Sequence, residues 1–303
     1  MSGPIWRTSR FAIDLARPRV MGIVNVTPDS FSEGGAALST AQAIARCEQM
    51  LAEGAEILDI GGESSRPGAL PVNAEEELAR VRPVLVAAVG LGVPVSIDTT
   101  KVEVMRVALD LGVDIVNDIA ALRTPGAIDV VAAHPTCGVC LMHMRGTPRS
   151  MQAEAVYDDV AAQVMAFLRE RIDAAGAAGI GRERIVADPG IGFGKTPEQN
   201  LELLARQQAL LTLGVPLLVG WSRKSTLARL AGLAAKAPAG RSPTEQARLE
   251  AASVVAAVLA VQRGARIVRV HDVAATVAGL AVWQAAHDAD NRADVSSARA
   301  STP

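Results

Sequence analysis

The sequence predicts an α/β fold, a single eight-stranded (β/α)8 TIM barrel with a short N-terminal hairpin or cap. Short β-branched runs alternate with longer stretches rich in Ala, Leu, Glu and Arg that have helical spacing, which is typical of βαβ units on a parallel sheet. About eight such units can be counted, the number that closes a barrel. A length of 303 residues suits one barrel.

The predicted strands and helices follow one another in alternation. The strands are 20–25, 56–60, 94–98, 114–118, 138–143, 184–188, 216–220 and 266–270. The helices are 39–53, 74–89, 102–111, 126–133, 153–178, 197–213, 245–263 and 273–287. Several helices begin at a capping or proline signal, such as Thr196 followed by Pro197.

The chain divides into three predicted segments. Residues 1–18 precede the first barrel strand and are expected to cap the bottom of the barrel. Residues 19–288 form the barrel, with a Gly-, Pro- and Ala-rich loop at 232–244. Residues 289–303 are expected to be a disordered polar tail.

Composition and charge exclude several classes of protein. A formal net charge of −2 and a pI near 6.1 provide no overall attraction to nucleic acid or to an anionic membrane, so an anion site has to be local. The N-terminus lacks the apolar core of a signal peptide, and the longest later apolar run, 251–261, is followed by Gln262 and Arg263. The sequence therefore predicts a soluble cytoplasmic protein. Its 3 cysteines, an odd number, argue against a disulfide framework.

Polar side chains follow nearly every predicted strand. They are Asn25, 63–66, Asp98, Asn117, Asp118, His143, Asp188, 222–225 and 269–272. The carboxyl ends of the strands of a β/α barrel meet at one mouth, where barrel enzymes hold their active sites. Helix caps alone would explain a Ser or an Asp, but not His, Arg, Lys and Asn together. These residues therefore predict one active site.

Two local patterns do not predict the sites that they resemble. The segment DPGIGFGKT at 188–196 has Pro189 where a nucleotide-binding GxxxxGK[ST] loop needs Gly, so its glycines indicate a tight turn that brings backbone close to a ligand. Cys137 and Cys140 have CxxC spacing but lie at the start of a predicted buried strand, which favours core packing over metal or redox chemistry.

Eight motifs follow one another along the chain. They are MGIVNVTPDSFSEGG at 21–35, DIGGESSRPGA at 59–69, SIDTTK at 96–101, VNDIA at 116–120, LMHMRGTP at 141–148, DPGIGFGKT at 188–196, GWSRKSTL at 220–227 and RVHDV at 269–273. Taken together, in their order and spacing, they resemble the motifs of the dihydropteroate synthase family of pterin-binding barrels. Two departures are small. Ser65 stands where the family often has Thr, and serine keeps the hydroxyl group. Ala252 and Ser253 stand where the family usually has Gly and Ser.

The resemblance implies a transferase of folate biosynthesis that condenses 6-hydroxymethyl-7,8-dihydropterin diphosphate with 4-aminobenzoate, giving 7,8-dihydropteroate and diphosphate. The implied pterin-binding residues are Asp98, Asn117, Met142, Asp188, Phe193 and Lys224. The implied diphosphate-binding residues are Asn25, Ser65, Arg269 and His271. The implied aminobenzoate-binding residues are Phe31, Ser65, Arg66, Pro67 and Ser225. The implied catalytic residues are Lys224, Arg269 and His271.

These residue types suit that chemistry. The edge of a pterin presents N–H donors beside a carbonyl acceptor, and a carboxylate, an amide and a cation complement it, which Asp188, Asn117 and Lys224 supply. Diphosphate leaves with developing negative charge, which cations and hydrogen-bond donors stabilise without a covalent nucleophile. In the family the bond to diphosphate breaks early, and the aromatic amine attacks the resulting cationic methylene.

The resemblance also implies a metal, a partner and an inhibitor class. Mg²⁺ would bind Asn25 and be held largely by diphosphate oxygens and water. The family is typically a homodimer formed through outer-ring helices, and its rim pocket accepts sulfonamides. The rim loops at 25–31 and 61–68 are expected to become ordered when pterin diphosphate binds.

Two other functions remain open at the level of the sequence. A pterin-dependent methyltransferase would need a corrinoid partner and would not depend on aminobenzoate. A catalytically silent barrel would bind pterins or regulate a partner, although none of the expected chemical residues is missing.

Overall fold

The computed structural model describes residues 4–27, 39–66, 68–235 and 240–300, with side chains up to residue 290 in the last range. Phe31 and Pro67, two of the expected aminobenzoate contacts, lie outside the described residues, as does most of the rim loop that follows the first barrel strand.

The predicted eight-stranded barrel and N-terminal hairpin are confirmed. The strands are β1 Ile5–Arg7, β2 Ala12–Asp14, β3 Arg19–Asn25, β4 Ile57–Gly61, β5 Val95–Asp98, β6 Ile115–Asp118, β7 Gly138–Met142, β8 Ile185–Asp188, β9 Leu217–Val219 and β10 Ala265–Val270. Strands β3 to β10 pair in parallel and close the barrel where β10 pairs with β3. Adjacent strands of the barrel follow one another in chain order, because a helical crossover after each strand returns the chain to the same end of the sheet.

The helices form the outer ring. They are α1 Thr40–Ala52, α2 Ala74–Val89, α3 Val102–Asp110, α4 Ala127–Ala133, α5 Val160–Ala177, α6 Pro197–Ala205, α7 Ser225–Leu230, α8 Pro243–Gln262 and α9 Val273–Ala300. Local sequence sets several of their first residues. Ser39, Thr196 and Ser242 each form a capping box with a Gln or Glu three residues later, which satisfies backbone N–H groups that the helix leaves unpaired.

Side chains inside the barrel form two layers, because alternate residues of a strand point to the same face. The lower layer is an apolar cluster of Met21, Ile57, Ile115, Cys140, Val186, Leu218 and Ile267. The upper layer lies two positions further along the strands. On five of these strands its residues are Asp59, Asn117, Met142, Asp188 and Arg269. The barrel therefore holds a mainly polar layer directly above an apolar floor.

The hairpin closes the other end of the barrel. Trp6, Ile13 and Leu15 pack in the same cluster as the lower layer. Trp6 is wholly buried, and its indole N–H donates to the carbonyl oxygen of Arg184 at 2.9 Å. The hairpin thus supports the floor at the end opposite the polar layer.

Several boundaries differ from the prediction. The helix predicted at 153–178 begins at Val160, because the Asp159 side chain accepts the N–H of Ala162 and caps it there. The helix predicted at 197–213 divides into α6 and a 3₁₀ segment at Gln207–Leu213, and the short helix α7 was not predicted. Residues 289–300, predicted to be part of a disordered tail, continue α9, since neither Gly nor Pro interrupts the chain there.

In the described part of the chain, no helix is long and apolar enough to cross a membrane.

Candidate active site

Arg269, near the end of β10, connects three polar side chains of the upper layer. Its Nε lies 2.6 Å from Oδ2 of Asp59, and its Nη2 lies 2.7 Å from Oδ2 of Asp98. The same Asp59 oxygen accepts from Nδ2 of Asn117 at 3.1 Å. Asp59 is completely buried, so it fixes the depth of Arg269 and the direction of the Asn117 amide together.

Asp98 is a largely buried carboxyl group with a side chain 12% exposed, beside both a cation and another carboxylate. Burial raises its pKa to about 7, although Arg269 opposes the shift, and Asp59 adds a further negative charge. Because the Arg269 guanidinium already pairs with the Asp59 carboxylate, Asp98 beside it is harder to ionise than it would be with Arg269 alone. Burial therefore makes Asp98 easier to protonate than a solvent-exposed aspartate.

Asp188 ends β8 and faces the same mouth. Its Oδ1 accepts the backbone N–H of Gly190 at 2.7 Å, and burial raises its pKa, opposed by that hydrogen bond and by Lys224. Lys224 is a half-buried cation, and burial together with Arg269 lowers its pKa to about 8. The carboxylate of Asp188 and the cation of Lys224 are near enough for each to favour the charged form of the other.

An apolar wall lines the mouth beside these charges. Met142 and Phe193 pack in one cluster with Ile119, Met144 and Met151. Nζ of Lys224 lies 4.0 Å from the centre of the Phe193 ring, close enough for a cation–π contact. The wall is suited to the face of a flat ring whose edge meets the polar groups.

The loop from β8 to α6 approaches the mouth through its glycines. Gly190, Gly192 and Gly194 all have positive φ, and a Cβ on Gly190 would overlap the carbonyl oxygen of His143. A Cβ on Gly192 would lie 3.0 Å from Cδ of Lys224. The predicted interpretation of these glycines as a close turn agrees with this geometry.

Lys195 holds the inside of that loop. Its Nζ is buried and lies 2.9 Å from the carbonyl oxygens of Gly190 and Phe193 and 3.0 Å from Nδ1 of His143. Burial and the charge of Lys195 lower the pKa of His143 to about 2, so this imidazole is neutral. His143, predicted only as a polar strand end, therefore anchors a loop.

The turn after β9 carries Lys224. Arg223 has φ of 59°, and its guanidinium pairs with the Asp272 carboxylate. The backbone N–H of Arg223 donates to Oγ of Ser253 at 3.1 Å. Ser253, which belongs to the Ala-Ser pair that departs from the family pattern, thus supports a strained turn.

His271 follows β10 beside this turn. Ser222 lies with its Oγ 3.0 Å from Nδ1 of His271 and accepts the backbone N–H of the same residue at 3.1 Å. Burial, then the cations Arg223 and Arg269, lower the pKa of His271 well below its usual range.

The other predicted residues that the structure describes lie at the end of β3 and in the segments that follow β4 and β9. Asn25 ends β3, and Ser225 is the first residue of α7. Ser65 is half-buried and Arg66 is exposed on the loop after β4. The base of that loop is tied down, because Nζ of Lys101 lies 2.7 Å from the Glu63 carboxylate.

Asp59 and Lys195 were not among the predicted site residues. Asp59 stands first in the DIGGESSRPGA motif and Lys195 stands eighth in DPGIGFGKT, so both lie within segments that the sequence singled out. A charged residue two positions after a buried Ile, as Asp59 follows Ile57, was an available signal.

Comparisons with known proteins identify the family of this chain. The profile of the family described as "Pterin binding enzyme" matches residues 21–271. The chain is 48% identical over 288 residues to the dihydropteroate synthase of Neisseria meningitidis serogroup C, covering 94% of this chain and 98% of the relative.

Two solved structures are similar throughout. The dihydropteroate synthase of Xanthomonas albilineans with 4-aminobenzoic acid has a TM-score of 0.85 at 49% identity, covering 95% of this chain and 99% of that one. The dihydropteroate synthase of Yersinia pestis in a sulfonamide drug complex has a TM-score of 0.86 at 41% identity, covering 94% and 99%.

Proposed function

We infer the reaction from one premise: the chain belongs to the dihydropteroate synthases of the pterin-binding enzyme family. The protein is a transferase that joins 6-hydroxymethyl-7,8-dihydropterin diphosphate to 4-aminobenzoate and releases diphosphate. The observation that carries the assignment is the set of buried Asp188 and Asn117 and half-buried Lys224 around one mouth, beside the apolar wall.

The pterin ring occupies the bottom of the mouth. Asp188 accepts paired N–H bonds from the pterin edge, Asn117 supplies an amide, and Lys224 donates to the ring carbonyl. Met142 and Phe193 contact the ring face. The hydrogen bond from Asn117 to Asp59 supports this role, because it holds the amide in one orientation before the substrate binds.

The diphosphate lies above the ring, next to Arg269 and His271. The carbon–oxygen bond of the pterin methylene breaks, and the electron pair leaves with diphosphate. The amine nitrogen of aminobenzoate then forms the new bond to the methylene carbon and releases one proton to water. The positive charge of Arg269 and a hydrogen-bond donor on His271 stabilise the leaving group.

We propose that Mg²⁺ binds at the end of β3. The side-chain oxygen of Asn25 is a hard ligand, and the described residues form no group of three acidic, His or Cys side chains that would hold an ion without substrate. Asn25 would be its protein ligand, with diphosphate and water completing the coordination. Bound there, the ion would neutralise charge on the leaving diphosphate.

Aminobenzoate binds nearer the rim. Ser65 and Arg66 lie on one side, with Phe31 and Pro67 in the same segments of sequence, and Ser225 lies on the other. A sulfonamide of similar outline would occupy the same space. The sulfonamide complex of the Yersinia pestis relative supports this proposal.

The experiment that tests the function is a diphosphate-release assay in which each substrate is omitted in turn. Release that requires both pterin diphosphate and aminobenzoate is expected. Methyl transfer independent of aminobenzoate would assign the chain to the methyltransferases, and pterin binding without release would mark a silent barrel.

The protein is further proposed to form a homodimer through α8 and α9. Val255 on α8 is 58% exposed and Val282 on α9 is 73% exposed, and apolar side chains on neighbouring outer helices favour a second copy. Light scattering should report a dimer that Val255→Glu weakens. Val86→Glu, at a similarly exposed position on α2, should leave the dimer intact. A monomeric parent protein contradicts this proposal.

A further inference from the structure

Ser222 and His271 form a closed pair at the ends of β9 and β10. The hydroxyl oxygen of Ser222 accepts the backbone N–H of His271 at 3.1 Å and lies 3.0 Å from Nδ1 of the imidazole. Ser222 is buried, while His271 is partly exposed to the mouth. Arg46 of α1 holds the carbonyl oxygen of His271 at 2.8 Å, so the backbone on both sides of the ring is fixed.

The hydrogen bonds determine which atom carries the imidazole proton. A serine hydroxyl has one proton to donate and two lone pairs to accept. One lone pair of Ser222 is used by the backbone N–H of His271. Among the described residues, Nδ1 of His271 is the acceptor within reach of the remaining hydroxyl proton. If Nδ1 carried the imidazole proton instead, the buried hydroxyl proton would lose this acceptor, which costs free energy.

The surrounding charges oppose a second proton on the ring. Arg223, Arg269, Arg66 and Lys224 all lie near enough to disfavour a positive charge on His271, and burial acts in the same direction. The ring is therefore neutral, and a neutral ring that accepts at Nδ1 must carry its proton at Nε2.

We propose that Ser222 is a positioning residue that holds His271 as the Nε2–H tautomer, so that His271 gives the leaving diphosphate a hydrogen bond and does not transfer a proton to it. This proposal rests on the proposed function. The neutral ring has one N–H to offer, and losing that proton would leave an imidazolate anion beside an anionic leaving group. Diphosphate therefore departs with its electron pair, and Nε2 keeps its proton.

The direct test is ¹⁵N NMR of the unliganded enzyme labelled in histidine. The chain has 4 histidines, and the His271→Gln spectrum assigns the signals. A protonated Nε2 and an unprotonated Nδ1 are expected for His271 at neutral pH. In Ser222→Ala, the two nitrogen signals of His271 should shift toward those of a mixture of tautomers. A parent spectrum with a protonated Nδ1, or with imidazolium, overturns the proposal. The NMR measurement needs no substrate. It can therefore contradict the proposed tautomer even if the diphosphate-release assay supports the proposed function.

Two substitutions test the chemical role. His271→Gln keeps a neutral N–H donor near the position of Nε2 but has no proton to transfer, so it should retain roughly tenfold more kcat than His271→Ala, the worth of one hydrogen bond. Equal losses in both variants would indicate that the imidazole transfers a proton and would refute the donor role.

The role of Ser222 is separated from a structural one by rescue. Ser222→Ala should lower kcat several-fold without changing the binding of a pterin that lacks phosphates, and Ser222→Thr, which restores the hydroxyl, should recover part of the loss. Thr212→Ala removes an exposed hydroxyl on the 3₁₀ segment and serves as the control. Failure of Thr to recover any activity in a folded variant, with the tautomer unchanged, would refute the positioning role.

Discussion

Asp59 shows how one buried side chain controls two neighbours. Asp59→Asn keeps the shape of the side chain but removes the charge that pairs with Arg269. Because hydrogen bonds to charged groups are worth about 1.5 to 3 kcal/mol, kcat/KM for pterin diphosphate should fall roughly tenfold to a hundredfold. Steady-state kinetics with saturating aminobenzoate measures this change.

The chain supplies a matched control for that substitution. Asp114 is also completely buried and also pairs with an arginine, Arg10, but it lies at the hairpin end of the barrel. Asp114→Asn should lower the free energy of unfolding and leave kcat/KM unchanged. An equal kinetic loss in both variants would mean that Asp59 acts only through overall stability.

The charges in the mouth predict a narrow pH optimum for pterin binding. Asp98 has a pKa raised to about 7, mainly by burial, so it becomes a carboxylate that can accept N–H bonds only as the pH rises through that value. Lys224 has a pKa lowered to about 8, also mainly by burial, so it loses its charge above that value. The affinity should therefore rise through about pH 7 and fall above about pH 8.

Calorimetry with a pterin that lacks phosphates measures this dependence, because the ligand then adds no phosphate titration. Asp98→Asn should remove the acidic limb of the profile, and Lys224→Arg should remove the alkaline limb. A flat profile in the parent enzyme would contradict the assignment of both residues to the pterin pocket.

At the scale of elements, the loop from β8 to α6 depends on a glycine at a specific position. Gly190 has φ of 67°, and a Cβ there would overlap the carbonyl oxygen of His143. Gly190→Ala should therefore displace the loop that carries Phe193 and abolish pterin binding, as calorimetry can measure. The strained φ alone costs about 1 to 2 kcal/mol.

Gly92 separates the clash from the strain. It has a similar φ of 77°, and a Cβ there would meet nothing within 4 Å. Gly92→Ala should lower the free energy of unfolding by only about 1 kcal/mol and leave pterin binding intact. If both variants bind pterin normally, the close approach of Gly190 to β7 is not needed for the site.

For the molecule as a whole, stability and chemistry are located at opposite ends of the barrel. Trp6→Phe removes the indole hydrogen bond to Arg184 beneath the apolar floor and should cost about 1 to 3 kcal/mol in the free energy of unfolding. The KM values for both substrates should not change. Denaturant unfolding and steady-state kinetics test the two statements separately.

Trp283→Phe is the control for this change, since Trp283 on α9 is partly exposed and stacks on His287. Trp283→Phe should change the free energy of unfolding far less than Trp6→Phe does. Raised KM values in the Trp6 variant would show that the floor transmits changes to the mouth.

The sequence by itself determined the fold and predicted that the candidate site lies at the carboxyl ends of the strands. The alternation of strand and helix patterns predicted the barrel, and the polar residues at strand ends predicted the mouth, because both signals are local along the chain. Asp98, Asn117, Asp188 and Arg269 stand at or next to the last position of their strands, as predicted. The roles of these residues toward the substrates stay predictions.

Only the tertiary structure decided which of these residues contact one another. Arg269 meets Asp59 from 210 positions away, and Ser222 meets His271 from 49 positions away, so no local pattern could pair them. The position of Lys195 inside its own loop depends equally on the carbonyl groups that surround it. Closing the barrel brings distant strands to one depth, and hydrogen bonds between them depend on distances that the chain acquires only when it folds.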